Sequence, residues 1–463
     1  LAALAGGQGT LGVADQPAPQ ASTVGSGQFV FDAGPSSNSL ESDSKPIAPQ
    51  TATNGSGDFV FNSANNAAAP TNNSPTEFEP NSPIPSELET ELASFTGTPA
   101  ESLHFSLTFD AASGQLIIQG NSGDNVVHES MTADGFFEIT IDGVTRSSQA
   151  QSSFYDAALT GMTRDTLREI MIFSGGGNDQ FVMSDQSLAG SLLVTSDGDV
   201  IVAGNVRVED IFQVNASLLS VEGSITASGG IVRLHSTTAT LVSGVIDVSG
   251  LSGGSGGRVE VLGPVVALLN SATINASGDT GGGTVLIGGD FQGNNPEITN
   301  SLVTWIDGQV QIHANALSSG NGGKVIVWAD QNTHYYGLIT AKGGALSGDG
   351  GFVEVSGKEF LNFRGQADLS AEHGAIGTLL LDPTNLIIAN GTADSAADGT
   401  ATFSGTPSGI VGTILGSDTG PTTIYESELE GLAATANIVL QATNNVTIND
   451  LTDNTLNLAA TTG

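Results

Sequence analysis

Gly322-Gly323-Lys324-Val325-Ile326-Val327 is followed 28 residues later by Gly350-Gly351-Phe352-Val353-Glu354-Val355. The phrase Gly-Gly-x-Val-x-Val has earlier copies: Gly229-Gly230-Ile231-Val232-Arg233-Leu234, Gly256-Gly257-Arg258-Val259-Glu260-Val261 and Gly282-Gly283-Thr284-Val285-Leu286-Ile287. Gly377-Thr378-Leu379-Leu380-Leu381 is a degenerate copy. From second glycine to second glycine the steps are 27, 26, 40, 28 and 26 residues. The long step carries Phe291 to Trp305, a polar insertion bearing Gly, Asn and Pro. A second phrase falls between the first ones: Ile225-Thr226-Ala227-Ser228-Gly229, Ile246-Asp247-Val248-Ser249-Gly250 and Ile274-Asn275-Ala276-Ser277-Gly278. Ile312-His313-Ala314-Asn315, Ile339-Thr340-Ala341-Lys342-Gly343 and Asp368-Leu369-Ser370-Ala371 continue it.

Each unit therefore reads as two or more short strands with glycine-rich corners. Small apolar residues alternate with polar ones, the pattern of a strand with one buried face. A unit this short cannot bury that face alone, but stacking sets like residue over like at about 4.8 Å. Glycine pairs at the corners are expected to supply positive φ where the chain turns. Candidate crossover helices are nearly absent, which argues against a βαβ sheet. The expected fold is all-β, a right-handed parallel β-helix over residues 186–463. A sandwich or barrel is the competing architecture.

Residues 99–185 read as a β-rich cap and first coils, with strands over Leu103–Phe109, Gln115–Gln119, Phe136–Ile141 and Glu169–Phe173. Residues 1–98 read as a disordered arm rich in Pro, Ser and Asn, with ten acidic residues against the single base Lys45. A short helix is expected over Glu87–Phe95. Within the arm, Gly25-Ser26-Gly27-Gln28-Phe29-Val30-Phe31 recurs as Gly55-Ser56-Gly57-Asp58-Phe59-Val60-Phe61. The repeated Phe-Val-Phe forms strands well. Such strands could add to an exposed sheet edge of another molecule, or lie on the body of their own. The chain starts on Leu1 and ends in mid-pattern, so it is expected to be a fragment or processed product.

Composition removes several functions. A net charge of −37 from 48 acidic and 11 basic residues repels nucleic acid and anionic lipid. Without cysteine there is no disulfide scaffold, thiolate zinc site or cysteine nucleophile. No apolar run reaches the ~18 residues of a membrane span. The six histidines never pair at metal-ligand spacing, and the glycine pairs lack the Lys-Ser/Thr of a phosphate loop. The densest aromatic cluster, His334-Tyr335-Tyr336 with Trp328, could stack on sugar but is read first as packing beside the insertion. Arg164 and Arg168 are expected to face solvent.

The stretch 282–388 resembles the repeat region of filamentous-haemagglutinin-type exoproteins, large secreted bacterial adhesins. The phrases that carry it are Gly282 to Gly293, Gly322 to Asp330, Gly350 to Lys358 and Gly377-Thr378-Leu379-Leu380-Leu381-Asp382-Pro383-Thr384-Asn385. Asn437 to Ala442 and Asn445 to Ile448 fit the same family, and the resemblance covers roughly 190–463. It implies a β-helix shaft, export from the cell and adhesion to glycans or proteins of a host or neighbouring cell surface. The family's Asn-Pro-Asn-Gly-type secretion motifs are missing here.

Residues 103–185 instead resemble the Gly/Asp repeats of RTX-type calcium-binding exoproteins. Ser174-Gly175-Gly176-Gly177-Asn178-Asp179-Gln180-Phe181 is one such unit, and Gly120 to Val127 a weaker one. The resemblance implies Asp179, Asn178 and Asp124 as calcium ligands. A tight turn of Gly, Asn and Asp explains the same residues without an ion and is the favoured reading. No cofactor is required.

The expected function is thus a non-catalytic shaft or structural exoprotein, secreted or on the bacterial surface. A β-helix polysaccharide lyase or hydrolase is one alternative. A filament subunit that self-associates by strand addition is the other.

Overall fold

The structure is a computed structural model. It describes residues 24–25, 27–31, 57–61, 106–175, 178–250, 252–390, 422–451, 455, 456 and 458. Most of the expected arm, including the helix expected over Glu87–Phe95, lies outside the described residues.

The described body is all-β with long parallel sheets. From Glu169 to Asp368 three stacks of strands form, and the chain visits them in the same cyclic order; beyond, Asn385–Ala389, Thr422–Tyr425 and Asn445–Ile448 pair in a separate sheet. Arg258–Leu262 lies in the first stack, Val265–Leu268 in the second and Thr273–Asn275 in the third. Thr284–Ile287 then returns to the first. Each strand pairs in parallel with its counterpart one pass later, as Arg258↔Thr284, Val265↔Val303 and Thr273↔Gln311.

In-register stacking sorts side chains into columns. In the first stack Val232, Val259, Val285, Val325, Val353 and Leu379 succeed one another. Ile225, Ile246, Ile274, Ile312, Ile339 and Ala367 do so in the third. Val242, Leu268, Ile306, Tyr335 and Phe363 do so in the second. All are buried, and all belong to one continuous core. Full burial of each large aliphatic is worth about 1.5–3 kcal/mol as an upper bound. A register slip of one residue would turn a whole column to solvent.

The second sequence phrase marks the corner after the third stack. Asp247, Asn275 and Asp368 each accept the backbone N–H two residues on, at 2.9, 3.1 and 3.1 Å. This side-chain turn ends the short strand and starts the corner.

The glycine pairs act otherwise than expected. Of the five full pairs only Gly229 has positive φ, at 68°. The second glycines, Gly230, Gly257, Gly283, Gly323 and Gly351, form a column with Gly377. A Cβ on any later member would collide with the carbonyl oxygen of the member before it. The requirement is close backbone approach between passes, not a left-handed turn. The same N–H groups close the corner: Gly283, Gly323 and Gly351 donate to Ala276, Ala314 and Ala341 carbonyls, each at 2.7 Å.

Upstream, the parallel stacks run through residue 186 without a break. Glu169–Phe173 and Gln180–Met183 pair in parallel with strands on both sides. Antiparallel ladders in this upstream part join Ser106–Asp110 to Gln115–Gln119 and run through the meander Val126–Met131, Phe137–Ile141, Val144–Ser147. Downstream, Glu426–Leu432 forms a helix that the sequence reading did not foresee. The Glu428 carboxylate accepts the Tyr425 N–H at its start (2.8 Å) and pairs with Arg364 at 3.4 Å.

The two arm motifs lie on the same molecule. Gly27–Phe31 pairs antiparallel with Asn437–Leu440 and in parallel with Gly57–Phe61. Val24–Gly25 pairs antiparallel with Asn445–Ile448. Among the described residues no helix is long and apolar enough to cross a membrane.

Candidate functional site

One column of the first stack points away from the core: Arg233, Glu260, Leu286, Ile326, Glu354 and Leu380. Where it is apolar it needs cover. The insertion supplies it. The chain leaves Thr284–Ile287 through Gly288 (φ 73°), makes a short turn at Phe291–Gly293, and rejoins the second stack at Val303–Ile306. Asp290 caps that turn by accepting the Phe291 N–H at 2.7 Å, and Lys324 holds the Asp290 carboxylate at 2.8 Å. Ile298 and Phe352 close over the buried group Leu286, Ile326 and Trp328. Phe291 meets Phe352 edge-on at 5.7 Å. The insertion therefore ends at Leu302, and Trp305 belongs to the strand.

Gln292 ties the insertion to the body. Its backbone is left-handed, φ 53° and ψ 20°, which costs a non-glycine residue about 1 kcal/mol or more. In that shape its N–H donates to both oxygens of Glu354, at 3.1 and 3.3 Å. Its side-chain amide donates to Asp382 at 3.0 Å and to Gln441 at 3.4 Å. Burial pushes the Glu354 carboxyl up to about 7, the Gln292 N–H opposing it. Burial also raises Asp382, opposed by the Gln292 amide.

Beside this tie lies a cleft of about 510 Å³. Asn300, Asp330, Lys358, Asp382, Gln441 and the edge of Trp328 are among its walls. Asn300 donates to Asp330 at 3.1 Å and to the Gly293 carbonyl at 2.9 Å. The Trp328 indole N–H also donates to Asp330, at 3.1 Å. The Asn300 side-chain oxygen is shielded from solvent and accepts nothing among the described residues. Amide and carboxylate groups converging on a concavity of this size can bind and orient a polyhydroxylated ligand. Glu354 is fully buried beneath Gln292 and does not line the cleft.

The three residues expected to bind calcium are brought together. The stretch 120–125 lies against Ser174, Gly175, Asn178 and Asp179. Asn178 donates its N–H to Asp124 at 2.8 Å, and Asp179 accepts the Asn125 N–H at 2.9 Å. Asn178 takes part here through its backbone; its side chain is exposed. Burial raises the Asp179 carboxyl, and Asp197 and Asp124 add like-charge repulsion. One oxygen each of Asp179 and Asn125 is buried without a partner among the described residues. Among those residues no group of three or more His, Cys, Asp or Glu is arranged to hold a metal ion.

The aromatic cluster is divided differently from the sequence reading. Tyr335 faces the core and stacks on Phe363 at 5.2 Å. His334 and Tyr336 pack on Trp305, at 4.8 and 5.4 Å, while Trp328 sits on the other stack. Consecutive strand residues point to opposite faces, which separates neighbours in sequence. Burial lowers His334 to about 4. Arg164 is exposed, whereas Arg168 folds back onto the Leu167 and Asp165 carbonyls at 2.8 and 2.6 Å.

Sequence reasoning missed Gln292, Asn300, Asp330, Asp382 and Gln441 as a group. They lie on four different passes or loops, and the only signal was the long repeat step.

No protein-family model matches this chain, and no curated protein matches it. Among solved structures, the HMW1 secretion domain from Haemophilus influenzae is similar at 19% identity, over 62% of this chain and 99% of that chain. The TM-score is 0.28, and nothing about this chain is inferred from that likeness.

Proposed function

We propose that this chain is the stiff shaft of a secreted or cell-surface exoprotein of adhesin type, a right-handed parallel β-helix without catalytic activity. Parallel crossovers of this kind are right-handed in nearly all known cases. The unbroken in-register columns support a rigid rod, and the acidic, cysteine-free composition suits an exposed surface. The observation that carries a binding role is the cleft beneath the insertion. Between Arg258–Leu262 and Thr378–Leu381 the insertion is the longest connection between strands. Here a long one is pinned by Gln292 across three passes and leaves a polar concavity. Its amides, two carboxylates and one ammonium suit a neutral or amine-bearing surface glycan.

Calorimetric titration with a panel of such oligosaccharides tests this. Asp382→Ala or Gln441→Ala should weaken binding about tenfold, the loss of one or two good hydrogen bonds, with only a slight fall in melting temperature from the lost bond to Gln292. A panel without a single binder removes the glycan role.

One observation favours the enzyme alternative: Asp330 and Asp382 both line the cleft. Polysaccharide turnover that disappears in Asp382→Asn would replace the shaft reading by a β-helix hydrolase.

A further inference from the structure

The last described strand of the first stack, Asn437–Leu440, and Asn445–Ile448 of the separate sheet are paired on one side by Thr378–Leu381 and Asn385–Ala389. The other side of such strands presents a row of N–H and C=O groups to any strand that can pair with them. In this molecule the arm takes that side. Phe29, Val30 and Phe31 pair with Leu440, Val439 and Ile438, and Val24 and Gly25 with Val446 and Asn445. These pairings form one antiparallel run whose register shifts by a single residue between Gly25 and Phe29. That shift falls opposite residues 441–444, where the acceptor passes from Asn437–Leu440 to Asn445–Ile448.

Two features set this contact apart from one more pass of the stacks. It is antiparallel, whereas from residue 169 onward every pairing among the body's described strands is parallel. It also joins residues some 400 positions apart in sequence. The motif occurs twice, while among the described residues this edge pairs with one copy only. The second copy pairs with the first in parallel, with all five positions in register from Gly27↔Gly57 to Phe31↔Phe61, and with no body strand among the described residues. Each chain therefore carries two donor strands for one acceptor.

We propose that the edge formed by Asn437–Leu440 and Asn445–Ile448 is a strand-acceptor site whose ligand is the Gly-Ser-Gly-x-Phe-Val-Phe segment, and that a second copy of this chain fills it whenever the resident arm is unseated. The backbone bonds are the same within one chain or between two, so effective concentration alone decides which forms. Copies joined in this way are linked arm to shaft.

The test uses full-length chains. Successive strand N–H groups point to opposite edges, so paired prolines remove donors toward both. In the donor-dead chain, Phe29→Pro, Val30→Pro, Phe59→Pro and Val60→Pro leave the edge open. A labelled peptide of residues 25–32 should bind this chain at least about tenfold more tightly than the wild type, whose own arm competes. Hydrogen exchange at Val439 and Val446 should rise in the variant and fall again with peptide, while exchange at Val325 stays unchanged. An acceptor-dead chain, Val439→Pro, mixed with the donor-dead chain should give a one-to-one complex, each alone being monomeric. Equal peptide binding to variant and wild type, or none to either, overturns the acceptor site. Peptide binding without the mixed complex overturns the linkage between copies. The peptide and exchange measurements do not depend on Val439→Pro folding.

Discussion

Glu260 and Glu354 stand in the same column of the same sheet, three passes apart, and both are almost completely buried. Their chemistry is opposite. Burial alone would raise both carboxyls. At Glu260 that effect is outweighed by a bond from His235 (3.3 Å) and by Arg258 (2.6 Å) and Arg233 (3.4 Å), which together bring it down to about 2. At Glu354 the roof excludes water but brings only the Gln292 N–H, with Asp382 repelling and Lys324 opposing, so burial prevails and the carboxyl rises to about 7. A position in a repeat fixes where a side chain points. What meets it there is set by the loops and by the neighbouring rungs.

Removing Glu260 should have the largest effect. Its folded value lies below the ordinary 4.5, so its contribution is whole above pH 4.5 and disappears as pH falls through about 2. Glu260→Gln should lower the unfolding free energy at pH 7 by about 3 kcal/mol, with the gap closing below pH 3. Denaturant titration across pH would show this, and a pH-independent difference would mean that packing, not charge, is at stake.

Glu354 should respond with the opposite sign. Its folded value lies above 4.5, so its contribution is whole below pH 4.5 and is lost as pH rises through about 7. Glu354→Gln should stabilise the chain by about 3 kcal/mol at most at pH 8 and leave it unchanged at pH 4. Glu129, fully buried and raised to about 8 with only the Gln186 amide opposing burial, falls on the same side. A destabilised Glu354→Gln at pH 8 would show that the tie to Gln292 needs the ionised form.

The smallest effect concerns Asp179, a third acid raised by burial. Its carboxylate already accepts the Asn125 N–H. Millimolar calcium should therefore shift the melting temperature by less than about 2 °C in a thermal scan. A larger rise would restore the calcium reading of Asp124, Asn178 and Asp179.

Periodicity carried most of the fold. Val259, Val285, Val325 and Val353 recur at steps of 26, 40 and 28 residues, the long one carrying the insertion, because each must land on the one before. The role of Gly257, Gly283, Gly323 and Gly351 was misread for a physical reason. A glycine needed for a turn and a glycine needed for close approach look alike in sequence, and only the neighbouring pass separates them. The cleft was illegible because nothing local links Gln292 to Asp382 and Gln441, 90 and 149 residues away. The helix at Glu426–Leu432 was missed because seven residues give too short a window for a helical period.

The glycine column also makes the passes interchangeable. Every pass from Gly257 to Gly377 meets its neighbours through the same pair of surfaces, a glycine laid on a carbonyl. Excising residues 324–351 would bring Gly323 directly before Phe352 and present the next pass with the contact it already makes. At the glycine column a whole pass can thus be removed without a new clash, although the ties of the insertion to Lys324 and Glu354 would have to be rebuilt. A single alanine in the column would be harder to accommodate than the loss of an entire rung.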